Sequence, residues 1–143
     1  MKTSLRTVPD TNVIIAGQSL SATSPNKEYF ERWKNDEFAL LFSDDTLREY
    51  IKKLIEQEVP KEVIIQLIVA IQELRSYVSI QFFHLAKYPT DSDDISFLLC
   101  AENGNATHLI SYDPHLLELH GFYSFKICKT LDFLFELRQV LSA

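Results

Sequence analysis

"DDISFLLCAENGNATHLISYDPHLLEL", residues 93–119, changes period twice. In "DDISFLLCAEN" (93–103) Phe97, Leu98 and Ala101 recur at helical spacing, and Gly104 then stops the helix. "THLIS" (107–111) is a short apolar run of strand length. Asp113 before Pro114 opens a second helix, "DPHLLEL" (113–119): an aspartate cap with proline in the first turn. A helix, a strand and a helix joined by short connections are the repeating unit of an α/β protein, whose strands run parallel through right-handed crossovers.

The same alternation extends in both directions. "LRTVP" (5–9), "FALLFS" (38–43), "VSIQFFHL" (78–85) and "FKIC" (125–128) read as further strands. "SPNKEYFERWKND" (24–36, with Ser24 as cap), "DDTLREYIKKLIEQE" (44–58), "KEVIIQLIVAIQELRSY" (61–77) and "TLDFLFELRQVL" (130–141) read as helices. Several strands are continuous apolar runs, as expected of a sheet covered on both faces. The expectation is a three-layer α/β/α sandwich around a mainly parallel twisted sheet, in one domain over residues 1–143. Pro9 has no N–H for a sheet ladder, so it belongs at the very end of its strand.

Composition narrows the function classes. With 46% hydrophobic and 24% charged residues the chain is ordinary for a globular protein. No apolar run is long enough to span a bilayer, and "MKTSLRTVPD" lacks the apolar stretch of a signal peptide, so a cytoplasmic protein without a membrane partner is expected. A net charge of −6 argues against nucleic-acid binding by counterion release alone, and less against an enzyme whose acids are neutralised by a divalent cation. Cys100 and Cys128 sit among apolar residues without zinc-ligand spacing and read as buried free thiols. His84, His108, His115 and His120 are dispersed, and none needs a catalytic role.

The acids are placed unevenly. In open α/β sheets ligands bind beyond the carboxyl ends of the strands. Strand 5–9 runs into Asp10, strand 107–111 into Asp113, and strand 78–85 is followed by "TDSDD" (90–94). Each acid has a local use as a cap, a turn residue or a charge at a helix start. Together they put like charges on one edge, a cost that a hard divalent cation would remove. Asp94 shares a helix face with Phe97, Leu98 and Ala101, which points it over the core edge; Asp91 suits the cap, and Asp93 is the rival. Glu49, by periodicity, lies opposite the Leu47/Ile51/Leu54 stripe and reads as solvated.

"VPDTNVIIAG" resembles the opening motif of PIN-domain nucleases, an aspartate after the first strand followed by Thr-Asn-Val. "LLFSDDTLREYIKKL" is similar to the family's second motif, with Ser43 at the strand end and Glu49 six residues on. "DSDDISFLLCAENGNATHLISYDPHLL" resembles its third and fourth: Asp94 seven residues before Ala101, then a Gly-containing turn, a strand and Ser111-x-Asp113. "FKICKTLDFLFEL" is like the family's last strand and closing helix. The nearest likeness is to the toxin components of toxin–antitoxin pairs (VapC-like). Pro9, in place of the usual apolar residue, and Tyr112, in place of a small or basic one, depart from the pattern; Tyr112 is expected to narrow the site mouth.

The resemblance implies a metal-dependent endoribonuclease leaving 5′-phosphate and 3′-hydroxyl ends. Asp10, Asp94 and Asp113 are the expected ligands of Mg²⁺ or Mn²⁺, and Glu49 the group that holds a water as general base. Asn12, Ser43 and Ser111 are expected to orient the carboxylates, and Lys52 and Lys53 to meet RNA phosphates. A small DNA-binding antitoxin and a homodimer through the helical pair 44–77 are the implied partners. Two rivals are a catalytically silent PIN-fold binding module and a receiver-type signalling domain. The receiver needs a phospho-accepting aspartate at a middle strand end and a lysine at a late one, where this chain has Ser43 and Ser111.

Overall fold

The computed structural model describes residues 2–18, 23–74 and 76–143. In chain order its elements are β1 (Arg6–Pro9), α1 (Thr11–Ala16), α2 (Pro25–Lys34), β2 (Ala39–Leu40), α3 (Asp44–Glu56), α4 (Lys61–Glu73), α5 (Ile95–Asn103, entered through a 3₁₀ turn at Ser92–Asp94), β3 (His108–Ile110), α6 (Pro114–Leu117), β4 (Lys126–Cys128) and α7 (Thr130–Ser142). The sheet order is β2-β1-β3-β4, every pairing parallel. This is the α/β architecture that the alternation predicts. No helix among the described residues is long and apolar enough to cross a membrane.

Successive residues of a strand face opposite sides of the sheet, and the two layers follow from that. On one side, Thr7 shares a hydrogen bond with Tyr29 of α2, and His108, its register partner on β3, packs edge-on against Phe133 of α7. Tyr29, Phe38 and Phe133 form an aromatic cluster there, with centroids 4.9–5.8 Å apart. On the other side, α5 packs on β1 and β3, and α3 packs on α5, with Tyr50 stacked on Phe97. Val8, Leu98 and Leu109 are fully buried.

Pro9 stands in an inner strand and is tolerated for a specific reason. Thr7 accepts from Leu41, the residue after β2, so Pro9, two residues on, also turns its N and C=O toward the β2 side. By that level β2 has ended, so no ladder bond needs the missing N–H. The Pro9 carbonyl instead accepts from the Tyr50 hydroxyl at 2.5 Å, which ties α3 to the end of β1.

Two local readings change, at 78–85 and at Ser24, and one helix is added where the sequence predicts no element. Residues 11–16 form a helix despite their β-branched Val13, Ile14 and Ile15, because Asp10 caps it and Val13 and Ile14 are buried. Residues 78–85 form no strand. Among the described residues the only pairing there is the bridge Phe42–Tyr77, flanked by Phe42 N–H to Ser76 O and Val78 N–H to Phe42 O. Beyond it the Asn103 side chain takes the ladder's place, accepting from the N–H of Gln81 and Phe82 and donating to the Phe82 carbonyl. Ser24 occupies the cap position of α2 without a side-chain cap bond. At Gly104 a Cβ would lie 2.7 Å from Val78 Cγ2 and 2.9 Å from Leu41 Cδ1, so the glycine permits a close approach; the left-handed residue of that turn is Asn105 (φ 51°).

Candidate active site

Asp10 is the most constrained acid. It follows β1 directly and caps α1, accepting from the Val13 N–H through Oδ1 at 3.0 Å. Its Oδ2 accepts from the Ser111 hydroxyl at 2.5 Å, and Ser111 Oγ in turn accepts from the Asp113 N–H at 2.9 Å. Asp10 is 4% exposed. Burial raises its pKa above the usual carboxylate range; the Ser111 and Val13 bonds oppose that rise, and the Asp113 charge adds to it.

Asp94 is held differently. It ends the 3₁₀ turn that Asp91 caps, with Asp91 accepting from the Asp93 N–H at 2.9 Å, and it begins α5 without capping that helix. The residue is half-buried, and its Oδ2 is buried with no hydrogen-bond partner among the described residues. Its carboxyl is pushed up to about 7, first by burial, then by Asp91, Asp113, Asp10 and Asp93. A buried oxygen left unpaired among like charges is costly.

Asp113 caps α6, accepting from the His115 N–H at 2.9 Å, and is half-buried. Glu49 is half-buried too, where periodicity predicts solvent. The buried stripe of α3 is Thr46, Tyr50 and Leu54, rotated toward Glu49 from the apolar pattern, and Ile55 is left 61% exposed. Thr46 is polar and so invisible to a hydrophobic count; it is buried because it completes a capping box with Ser43.

Asp10, Glu49, Asp94 and Asp113 line one cavity of about 190 Å³, with Phe97 among the residues of its wall. Asp91, Asp93, Thr11, Asn12 and Lys53 line it as well. The Lys53 ammonium pKa is raised by Glu56, 3.5 Å away, and further by Asp93 and Glu49, so the lysine stands within the field of the acids. Lys52 faces the neighbouring hollow between α3 and α5. As the side chains stand, no three acidic, imidazole or thiol groups among the described residues are grouped closely enough to hold one metal ion. Asp10 and Asp113 each turn an oxygen to a helix N–H instead.

A family model for the PIN domain matches residues 6–115. The chain belongs to the PIN-domain family. In this PIN domain the match takes in all four acids, while β4 and α7 lie beyond it. PIN domains are generally nucleases, which makes nucleic acid the substrate class. No curated protein matches the chain at a significant level.

The positions expected to orient the carboxylates separate in this PIN domain. Ser111 touches Asp10. Ser43 bonds Thr46 and the α3 backbone and meets the Cys100 thiol, none of them a carboxylate, which makes it a helix cap. Asn12 lies exposed at the cavity mouth; its backbone N–H helps Asp10, and its side chain makes no hydrogen bond among the described residues. Tyr112 does not narrow the mouth, because its hydroxyl turns to Asn26 at 3.4 Å. Two supports were not foreseen, Tyr50 and Phe97. Tyr50 belongs to the apolar stripe of α3, but its bond to Pro9 joins elements remote in sequence. Cys100 is buried and Cys128 half-buried, both thiols pushed up to about 12 by burial. His108 is buried on the opposite face, bonded to Glu136 at 2.7 Å.

Proposed function

We propose that the chain is a single nuclease domain that hydrolyses RNA phosphodiester bonds in the Asp10/Glu49/Asp94/Asp113 cavity with the help of Mg²⁺ or Mn²⁺. The observation that carries this reading is the buried, unpartnered Asp94 Oδ2 on the cavity that Asp10, Glu49 and Asp113 also line. The donors are all oxygens, the set that a hard divalent cation selects, and its charge would offset the burial and the repulsion that hold the Asp94 proton on. Asp10, Asp94 and Asp113 are the residues that would hold it. When bound, such an ion lowers the pKa of water and offsets charge on the scissile phosphate.

The chain's own residues supply the rest. Ser111 and the Val13 N–H hold Asp10 in one orientation and favour its ionised form, against the burial that favours the neutral one. Glu49, held on the edge of the buried stripe, accepts the proton of the attacking water. Lys53 offsets phosphate charge at the rim. The experiment is cleavage of single-stranded RNA with EDTA and with restored Mn²⁺: activity is expected to vanish and return, and cleavage that survives thorough chelation rejects the metal reading.

A toxin role beside a small DNA-binding antitoxin, and a homodimer through α3 and α4, complete the proposal. The outer faces of those helices support the dimer, with Ile55 61%, Ile65 49% and Val69 44% exposed. Sedimentation of the purified chain tests the dimer, and co-purification with the product of an adjoining gene tests the pairing.

A further inference from the structure

Three hollows adjoin along the flank of α3. The carboxylate cavity shares Glu49 and Asp93 with a second cavity of about 390 Å³ between α3 and α5. That cavity shares Asp45 and Arg48 with a third, of about 280 Å³, which opens on Tyr77 and Phe83. Along this path Arg48, Lys52 and Lys53 stand among the acids of the three hollows, with Asp44 and Asp45 at its far end.

Each hollow offers a different contact. Ile95 and Leu99 are apolar walls of the middle cavity, and Ser96 Oγ is buried with no hydrogen-bond partner among the described residues. A flat ring with a polar edge would cover the walls and satisfy that hydroxyl. Tyr77 and Phe83 are 52% and 67% exposed. Tyr77 is held by an edge contact with Phe42 and donates to Asp44 Oδ2 at 3.1 Å, so its ring is a fixed platform. Arg48 pairs with Asp45 on the exposed surface, an ion pair weak enough to give way to a phosphate.

We propose that RNA reaches the carboxylates as a single strand along this flank. The nucleotide beside the scissile phosphate seats its base in the middle cavity, and a base further along stacks on Tyr77 and Phe83. Arg48 and Lys52 follow the backbone between them. A base held in a duplex can neither seat in the hollow nor present its face to an aromatic ring, so the path selects unpaired RNA. The inference rests on the nuclease reading and adds the route of the substrate and the residues that seat its bases.

The test is fluorescence anisotropy of a labelled single-stranded RNA with Mn²⁺, in a Glu49→Gln background so that the strand stays intact. Tyr77→Ala and Phe83→Ala are each expected to weaken binding about tenfold, the loss of one stacked base. Ile95→Trp, which puts a bulky ring into the middle cavity, is expected to weaken it at least as much. Phe135→Ala removes an equally exposed ring on α7, away from the path, and is expected to bind as the parent does. Thermal unfolding confirms that each variant folds. Parent-like binding by the Tyr77, Phe83 and Ile95 variants, equal affinity for a duplex, or no binding at all overturns the route. If the unsubstituted protein cleaves RNA while these variants bind normally, the route fails and the nuclease reading stands. If the variants lose binding and the unsubstituted protein never cleaves, the nuclease reading fails and the route stands.

Discussion

The two halves of the cavity are built on opposite terms. The sheet-end half, Asp10 with Ser111 and Asp113, is tied down by hydrogen bonds: each carboxylate caps a helix, and Ser111 links Asp10 to the Asp113 backbone. The helix-side half is left open. Asp94 keeps a buried oxygen unpaired, and Glu49 is held by the packing of α3 without a hydrogen bond among the described residues. The first half is as useful to the fold as to any chemistry. The second has no evident structural use, and a group that costs stability without serving the fold points to a ligand.

The largest expected effect lies in the open half. Asp94→Asn is expected to lower RNA cleavage by about a thousandfold or more, the scale of losing a principal electrostatic or acid–base group. Asp91→Asn, which keeps a cap for the 3₁₀ turn and removes one acidic charge beside Asp94, is expected to leave cleavage within a few-fold. Equal rates for Asp94→Asn and the parent would break the comparison, since the unpaired oxygen would then have no task. Glu49→Gln and Glu56→Gln sharpen it, because only the first lines the cavity; a large loss is expected for Glu49→Gln alone.

Ser111→Ala comes next. It frees Asp10 Oδ2 and leaves the Asp113 N–H without its acceptor. Removing such an orienting group is expected to cost about 10- to 100-fold in turnover or metal affinity, read from kcat and a metal titration. Ser43→Ala is the counterpart at the head of α3. It is expected to cost about 1 kcal/mol of stability, the usual value of a cap, and to leave turnover within about twofold, since Ser43 meets no carboxylate. A turnover loss as large as that of Ser111→Ala would show that Ser43 reaches the site.

The smallest effect is on stability against pH in the metal-free protein. An unfolded aspartate titrates near 3.9, and folded Asp94 near 7. Between those values the folded chain holds a proton that the unfolded chain has released. This group therefore stabilises the fold least above pH 7, and its contribution falls as pH rises from about 4 to 7. Asp94→Asn is expected to remove that slope and to raise stability at pH 8 by about 1–2 kcal/mol, a figure reduced for the partial exposure of the site. Asp10→Asn makes the contrast: asparagine still caps α1, so its metal-free stability is expected to stay close to the parent's. Denaturant unfolding at several pH values checks both.

What residues do to their own backbone was legible in the sequence. The alternation of periods sets an α/β fold with parallel strands, and Asp91 and Asp113 cap the turn and the helix that their positions suggest, while Asp10, read as a turn residue, caps a helix. The acids' places at strand ends also put them on one edge once the strands are parallel. Only the tertiary structure decided what stands across from each side chain. Glu49 looks solvated by helical period, but a buried polar residue, Thr46, rotates α3 and brings it to the cavity. Ser43 and Ser111 look alike as strand-end serines; one faces its own helix and the other faces Asp10, a hundred residues away in the chain. Residues 78–85 have the composition of a strand, yet the Asn103 side chain supplies their hydrogen bonds in place of a neighbour. Pro9 is admissible in an inner strand only because β2 ends one step earlier. Local spacing determines which backbone groups a side chain can reach; burial, pairing and the sharing of a cavity depend on contacts between segments distant in sequence, which no local period records.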